Sequence, residues 1–197
     1  MIMSFRKEKK FRLSKSDCDT LKNKLRLSDM KPLYSDRVIN SLYYDTYALS
    51  MLHDSEEGLL PRKKVRIRWY DDIKKAQKET KITSFEGRFK TTSQANITSK
   101  MPLPKTLYDA SYGVLHPSLL VSYQRQYFSF RSMRITFDSN IRYIDYRKSY
   151  KIAYEDEERV MEVKVPLEFQ DDYIESVLPF PTSRFSKYSR GLLISNE

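Results

Sequence analysis

Lys64, Arg66 and Arg68 occupy every second position of the stretch KKVRIRWY, residues 63–70, with Val65, Ile67 and Trp69 between them. Read as a β-strand, that spacing sends three cations to one face and three large apolar groups to the other. A half-buried antiparallel strand with a solvated face has the same pattern. The alternation recurs, however, in SLYYDTY (41–47), KETKI (78–82), FEGRFK (85–90), SYQRQYFSF (122–130), MRITFD (133–138) and VMEVKV (160–165). Glu79 shares a face with Lys81, Glu86 with Arg88 and Lys90, Tyr123 with Arg125, Arg134 with Thr136 and Asp138, and Glu162 with Lys164. Apolar residues such as Phe128, Phe130, Ile135, Phe137, Met161 and Val163 oppose them. If such a sheet closes into a barrel, the cations point inward and the apolar faces outward against helices. A lumen of that kind needs an anion.

Charge supports an anionic partner. The net charge is +10, and all of it falls in the first hundred residues, where 23 Lys and Arg stand against 13 Asp and Glu. Nucleic acid, acidic lipid, nucleotide and inorganic polyphosphate all satisfy that balance. Cations that alternate along several strands, without an exposed aromatic platform, argue against nucleic acid. Fifteen Tyr, ten Phe and only four Gly favour a β-rich domain and leave no glycine-rich phosphate loop. A single cysteine, Cys18, excludes an intrachain disulfide and points to a reducing, cytoplasmic setting. No apolar stretch approaches the roughly 18 residues of a spanning helix. His53 and His116 lack the spacing of a metal site.

Residues 1–197 read as a single domain. Cys18, Leu21 and Leu25 predict a helix behind Ser16 and Asp17, and Ala48–His53, Glu168–Leu178 and Arg184–Ile194 predict three more. The stretch 91–104 is the one predicted loop.

The order Glu8-x-Lys10, SLYYD, KVRIR, ETK with R-F-K, Y-x-R, RITFD, MEVK and SKYSRG resembles the vacuolar transporter chaperone (VTC) domain. That domain is a polyphosphate polymerase domain of the triphosphate tunnel metalloenzyme (CYTH-like) superfamily. The resemblance runs from about residue 6 to 191. It implies a mainly β (α+β) fold, a closed antiparallel eight-stranded tunnel barrel with helices packed outside. It also implies that Lys10, Arg66, Arg68, Lys81, Lys90, Arg125, Arg134 and Lys187 contact phosphate, with Lys187, Arg66 and Arg68 serving catalysis. Glu162 would hold Mn²⁺ or Mg²⁺.

The chemistry of these residue types agrees. Arg presents a planar fork suited to phosphate, while Lys acts as a compact charge. A hard divalent ion bridges one or two carboxylates to substrate phosphates. Blander readings stand beside these: Lys10 as one of a solvated basic run, Glu162 paired with Lys164, Asp138 paired with Arg134, and Tyr123 in packing. Hydrolase relatives begin E-x-E-x-K, whereas this chain has Arg6, Glu8 and Lys10. That departure disfavours two-metal hydrolysis. The function implied is transfer of the γ-phosphoryl group of ATP, or another nucleoside triphosphate, onto inorganic polyphosphate. A separate membrane protein could receive the product. A non-catalytic polyphosphate or nucleotide sensor is the alternative, and a triphosphatase the third reading.

Overall fold

A computed structural model describes residues 6–95, 97 and 103–195. The described residues form ten strands and four helices, in the order β1 Arg6–Leu13, α1 Lys15–Leu27, β2 Lys31–Asp45, α2 Ser50–Glu57, β3 Arg62–Tyr70, β4 Asp72–Ser84 and β5 Gly87–Gln94. Then follow β6 Leu107–Asp109, β7 Gly113–Phe130, β8 Met133–Asp145, β9 Ala153–Glu155, β10 Arg159–Pro166, α3 Asp171–Val177 and α4 Lys187–Ile194. All strand pairs are antiparallel, and eight strands follow the order β1-β10-β8-β7-β2-β3-β4-β5. The short strands β6 and β9 flank β7 and β8.

The sheet curls without closing. Lys81 on β4 lies in the fields of Glu8 on β1 and Glu162 on β10, although these strands stand toward opposite ends of the order. Yet β1 and β5 do not pair among the described residues, so the predicted closed barrel is an open, curled half-barrel. Beside β1 runs the chain that leads into α4: the Ser183 N–H donates to the Lys10 carbonyl, Lys10 donates to the Phe185 carbonyl, and Lys64 of β3 donates to Ser186 Oγ.

Period 2 sorts each strand into an outer apolar side and a concave polar side. Outside, Phe11, Phe128, Phe130, Ile135, Phe137, Met161 and Val163 pack against Cys18, Leu21 and Leu25 of α1 and Ile174 of α3. Ser14, not Ser16 or Asp17, caps α1, its side chain accepting from the Asp17 N–H. Farther round the outer side, Val65 and Ile67 bury against Leu42, Tyr44, Met51 and Leu115.

Helix α4 departs from the predicted arrangement of helices outside. Its Tyr188 and Leu192 pack with Tyr43, Leu119, Val121 and Tyr143, and Tyr188 stacks on Tyr43 with ring centroids 4.8 Å apart. Tyr43 pairs in register with Arg66, so α4 lies on the concave side and fills one end of it. The chain reaches that position along β1, where the Ser183 N–H donates to the Lys10 carbonyl. This course explains why α4 starts at Lys187 rather than Arg184. Helix α2 likewise starts later than predicted, because Asp45 accepts from the Met51 and Leu52 N–H groups. Of the predicted loop, residues 91–94 belong to β5, and 96 and 98–102 lie outside the described residues.

Gly191 is what lets α4 seat so closely. A Cβ there would meet Tyr143 Cδ1 at 2.3 Å and Leu119 Cδ2 at 2.7 Å. Gly191→Ala should therefore destabilise the protein by about 1–3 kcal/mol through overpacking. Leu193→Ala, on the exposed side of the same helix, should change little. Thermal melts of the two variants test this docking. Equal melting temperatures for both would place α4 off the sheet.

Candidate functional site

The concave face brings cations from β1, β3, β4, β5, β7, β8 and β10, and from one helix, around a few carboxylates. Lys64, Arg66 and Arg68 enter from β3, Lys81 from β4, and Lys90 from β5, where it pairs in register with Lys81. Arg125 comes from β7, Arg134 from β8, and Lys10 from β1, paired in register with Glu162 of β10. Lys187 opens α4. All nine residues implied by the resemblance thus lie on this face.

Glu79 is the first hub. Its Oε2 accepts from Arg66 Nε at 2.8 Å and Nη2 at 2.6 Å, and Arg68 Nη1 lies 3.8 Å away. Lys90 donates to its other oxygen. Burial alone would raise the Glu79 carboxyl, but Arg66 and Arg68 more than reverse this and hold it at about 2. Arg66 also donates to the Tyr43 hydroxyl at 2.9 Å. Burial would push that phenol up, yet Arg66 and Arg68 bring it down to about 7.

Asp138 is the second hub, only 1 % exposed. Arg125 grips it with two bonds of 2.6 and 2.7 Å, and Lys187 donates to it at 2.5 Å. The proposed pairing of Asp138 with Arg134 is therefore replaced. Arg125 is its register partner across β7 and β8, while Arg134 lies four residues farther along the same strand. Tyr123 lies beneath this group, its ring under Lys187 at 4.6 Å and Arg125 at 5.3 Å. Its hydroxyl accepts from Arg68 at 3.3 Å.

A third group joins Glu8 and Glu162 through Lys164, whose Nζ lies 3.4 and 3.2 Å from their oxygens. Burial opposes ionisation of Glu162, but Arg125, Lys164 and Lys10 drive its pKa well below the usual range. Two carboxylates converging on one ammonium suit a hard divalent ion, which would take its remaining ligands from water and phosphate. Among the described residues no cluster of three or more His, Cys, Asp or Glu exists. A site here would thus depend on substrate oxygens.

Cations outnumber carboxylates on this face. Lys64 and Lys81 make no ion pair among the described residues; Lys64 donates only to Ser186 Oγ at 3.0 Å. Desolvation by the surrounding protein, then Arg66, lowers the Lys81 pKa to about 8. Lys10 donates to the Phe185 carbonyl at 3.0 Å and so links β1 to the start of α4. The sequence reading put Lys64 on the cationic face without a phosphate role and Glu79 beside Lys81 without its hub role, and gave Tyr43 no role. Only strand pairing shows which groups they meet.

The sequence profile of the VTC domain family matches residues 5–196. No curated protein sequence matches the chain. Among solved structures, the fold is similar to that of a Vibrio parahaemolyticus protein proposed to be an adenylate cyclase. The TM-score is 0.54 at 13 % identity, over 98 % of this chain and 99 % of that one. A conserved hypothetical protein of Pyrococcus furiosus gives 0.55 at 11 % identity, over 93 % and 98 %.

The Glu79 hub makes acid stability a measurable property of this site. Because the folded pKa is depressed to about 2, its contribution is present above the ordinary 4.5 and is lost as pH falls from there toward 2. Glu79→Gln should lower stability at pH 7 by about 3 kcal/mol or more, since it leaves buried cations short of a counter-ion. It should also flatten the acid limb of the melting profile. Identical acid limbs for the two proteins would remove Glu79 as the hub.

Proposed function

The chain belongs to the VTC domain family, and on that premise we propose that it transfers the γ-phosphoryl group of ATP onto inorganic polyphosphate within the basic cleft. The observation that carries this reading is the surplus of cations on the concave face, above all Lys64 and Lys81 without carboxylate partners. Such a surplus is costly unless an anion with several negative charges lies among them.

Roles follow from reach and chemistry. Arg66, Arg68, Arg125 and Arg134 would hold phosphate oxygens through their planar forks, and Lys10, Lys81 and Lys90 would act as point charges. Asp138 takes only one of the three N–H donors of Lys187, which leaves two for a terminal phosphate. Glu162, with Glu8 beside it, would hold Mn²⁺ or Mg²⁺. When bound, that ion would neutralise charge on the phosphates. In the transfer, the terminal oxygen of the chain bonds to Pγ while the bond from Pγ to the β–γ bridging oxygen breaks, and the nucleoside diphosphate departs. In-line placement and fixed positive charge supply most of the rate, so the residues act chiefly by positioning.

Incubation with ATP and Mn²⁺, followed by gel analysis and a phosphate assay, separates the readings. Polyphosphate ladders support transfer. Free phosphate would instead indicate a triphosphatase, and binding without turnover a sensor. Because the Glu8 and Glu162 group has no third carboxylate among the described residues, transfer is favoured over two-metal hydrolysis.

Two variants give sharper outcomes. Glu162→Gln should cut metal-dependent turnover by about two orders of magnitude. Its tripolyphosphate affinity without metal should hold or rise. If Glu162 serves only to pair with Lys164, the variant will lose stability and keep its activity per folded molecule. Lys81, with its pKa near 8, makes the second test. It loses its charge as pH rises through that value, so tripolyphosphate affinity should fall by about tenfold between pH 7 and 9, and Lys81→Arg should abolish most of that fall. Calorimetric titration at both pH values measures it, and a pH-independent wild type would set Lys81 aside.

A further inference from the structure

Helix α4 carries Lys187 into the cleft, and its polar anchors run in different directions. Tyr188 donates to Asp45 at the end of β2 at 2.8 Å, Ser189 to Glu56 of α2 at 2.7 Å, and Arg190 to Asp156 between β9 and β10 at 3.4 Å. Two further anchors lie just ahead of Lys187. Lys10 donates to the Phe185 carbonyl and Lys64 to Ser186 Oγ, each at 3.0 Å. Ser186 is the N-cap of α4, its side chain accepting from the Ser189 N–H at 3.4 Å, so Lys64 holds the residue from which the helix starts.

That bond spans the cleft. Lys64 shares one face of β3 with Arg66 and Arg68, which meet at Glu79. Lys187 donates to Asp138 of β8, and β7 and β2 lie between β8 and β3 in the sheet. The bond from Lys64 to Ser186 therefore ties Lys187 to the strand that carries the two arginines, which the contacts of Tyr188, Ser189 and Arg190 do not. Its charge does not favour the helix. Lys64 pairs in register with Lys81 and lies in the field of Lys10. Its ammonium also stands at the N-terminal end of α4, where the helix dipole disfavours a cation. A side chain serving this cap for stability alone would be neutral or acidic.

We propose that Lys64 is a positioning residue: through Ser186 it sets the start of α4, and so places the Lys187 ammonium at Asp138 over the Tyr123 ring. The kinetic consequence rests on the reading of the cleft as a site of phosphoryl transfer; the placement does not. Lys64 acts here on Lys187, not on substrate.

The Lys187 ammonium lies 4.6 Å from the Tyr123 ring centroid and 5.6 Å from that of Phe185, so ring currents shift its side-chain NMR signals and report where it sits. Wild type, Lys64→Met, Ser186→Gly and the double variant are compared with labelled lysine, the signal being assigned with Lys187→Arg. Ser186→Gly removes the Oγ acceptor yet keeps a residue that caps a helix nearly as well. Each single variant should move the Lys187 signals toward those of a free lysine, and the double variant should move them no farther. Lys64→Met should melt at the wild-type temperature or above it, because a cation leaves the helix N-terminus. In Ser186→Gly, which keeps every charge, kcat with ATP should fall about tenfold while KM stays within about twofold. Adding Lys64→Met should lower kcat no further. Unmoved Lys187 signals in both single variants, or shifts that add in the double, would overturn the placement. So would a lower melting temperature for Lys64→Met, which would make the bond a stabilising one, or a loss of kcat confined to Lys64→Met, which would put Lys64 on the substrate. A wild type that makes no polyphosphate would remove the transfer reading instead, and the NMR signals would still judge Lys64.

Discussion

Like-charge repulsion on the concave face is the constraint around which the rest of the structure is arranged. Arginines and lysines from most of the sheet point the same way, and each must find a counter-charge, a ring or water. Glu79 draws Arg66, Arg68 and Lys90 together, and Asp138 draws Arg125 and Lys187. Glu8 and Glu162 share Lys164. Glu79, Asp138 and Glu162 lose solvation at a cost that only several close cations offset, which is why their pKa values fall despite desolvation. The pairing remains incomplete, and the unpaired remainder leaves the cleft with a surplus of positive charge.

The open edge and the position of α4 are connected. Eight strands curl far enough for Lys81 to feel Glu8, yet β1 and β5 do not pair among the described residues, and the chain leading into α4 bonds to Lys10 and Lys64. The apolar end of the face is covered by α4, whose Tyr188 hydroxyl donates to Asp45, the residue that also caps α2. Buried hydrogen bonds of this kind fix one arrangement more than they add net stability. They set Lys187 beside Asp138 and hold it within reach of the cleft.

Much of the layering was legible from single strands. Val65 and Ile67 are buried outside while Arg66 and Arg68 line the cleft, as the alternation of KVRIR requires. Met161 and Val163 against Glu162 and Lys164 repeat the case. Helix ends were less legible, because Asp45 and the contact of Ser183 with Lys10 act from outside the helices they delimit.

The sequence by itself determined which side of each strand would be charged and which apolar, because strand periodicity is a local property of the backbone. It also carried the ordered motifs that mark the family. Only the tertiary structure decided which charges meet. Lys187 and Asp138 are 49 residues apart, Lys10 and Phe185 are 175 apart, and Arg37 reaches rings on three different strands. Such partnerships depend on register and on the path of the chain between strands, which no local pattern encodes. The open edge and the inward helix are likewise set by contacts between segments far apart along the chain.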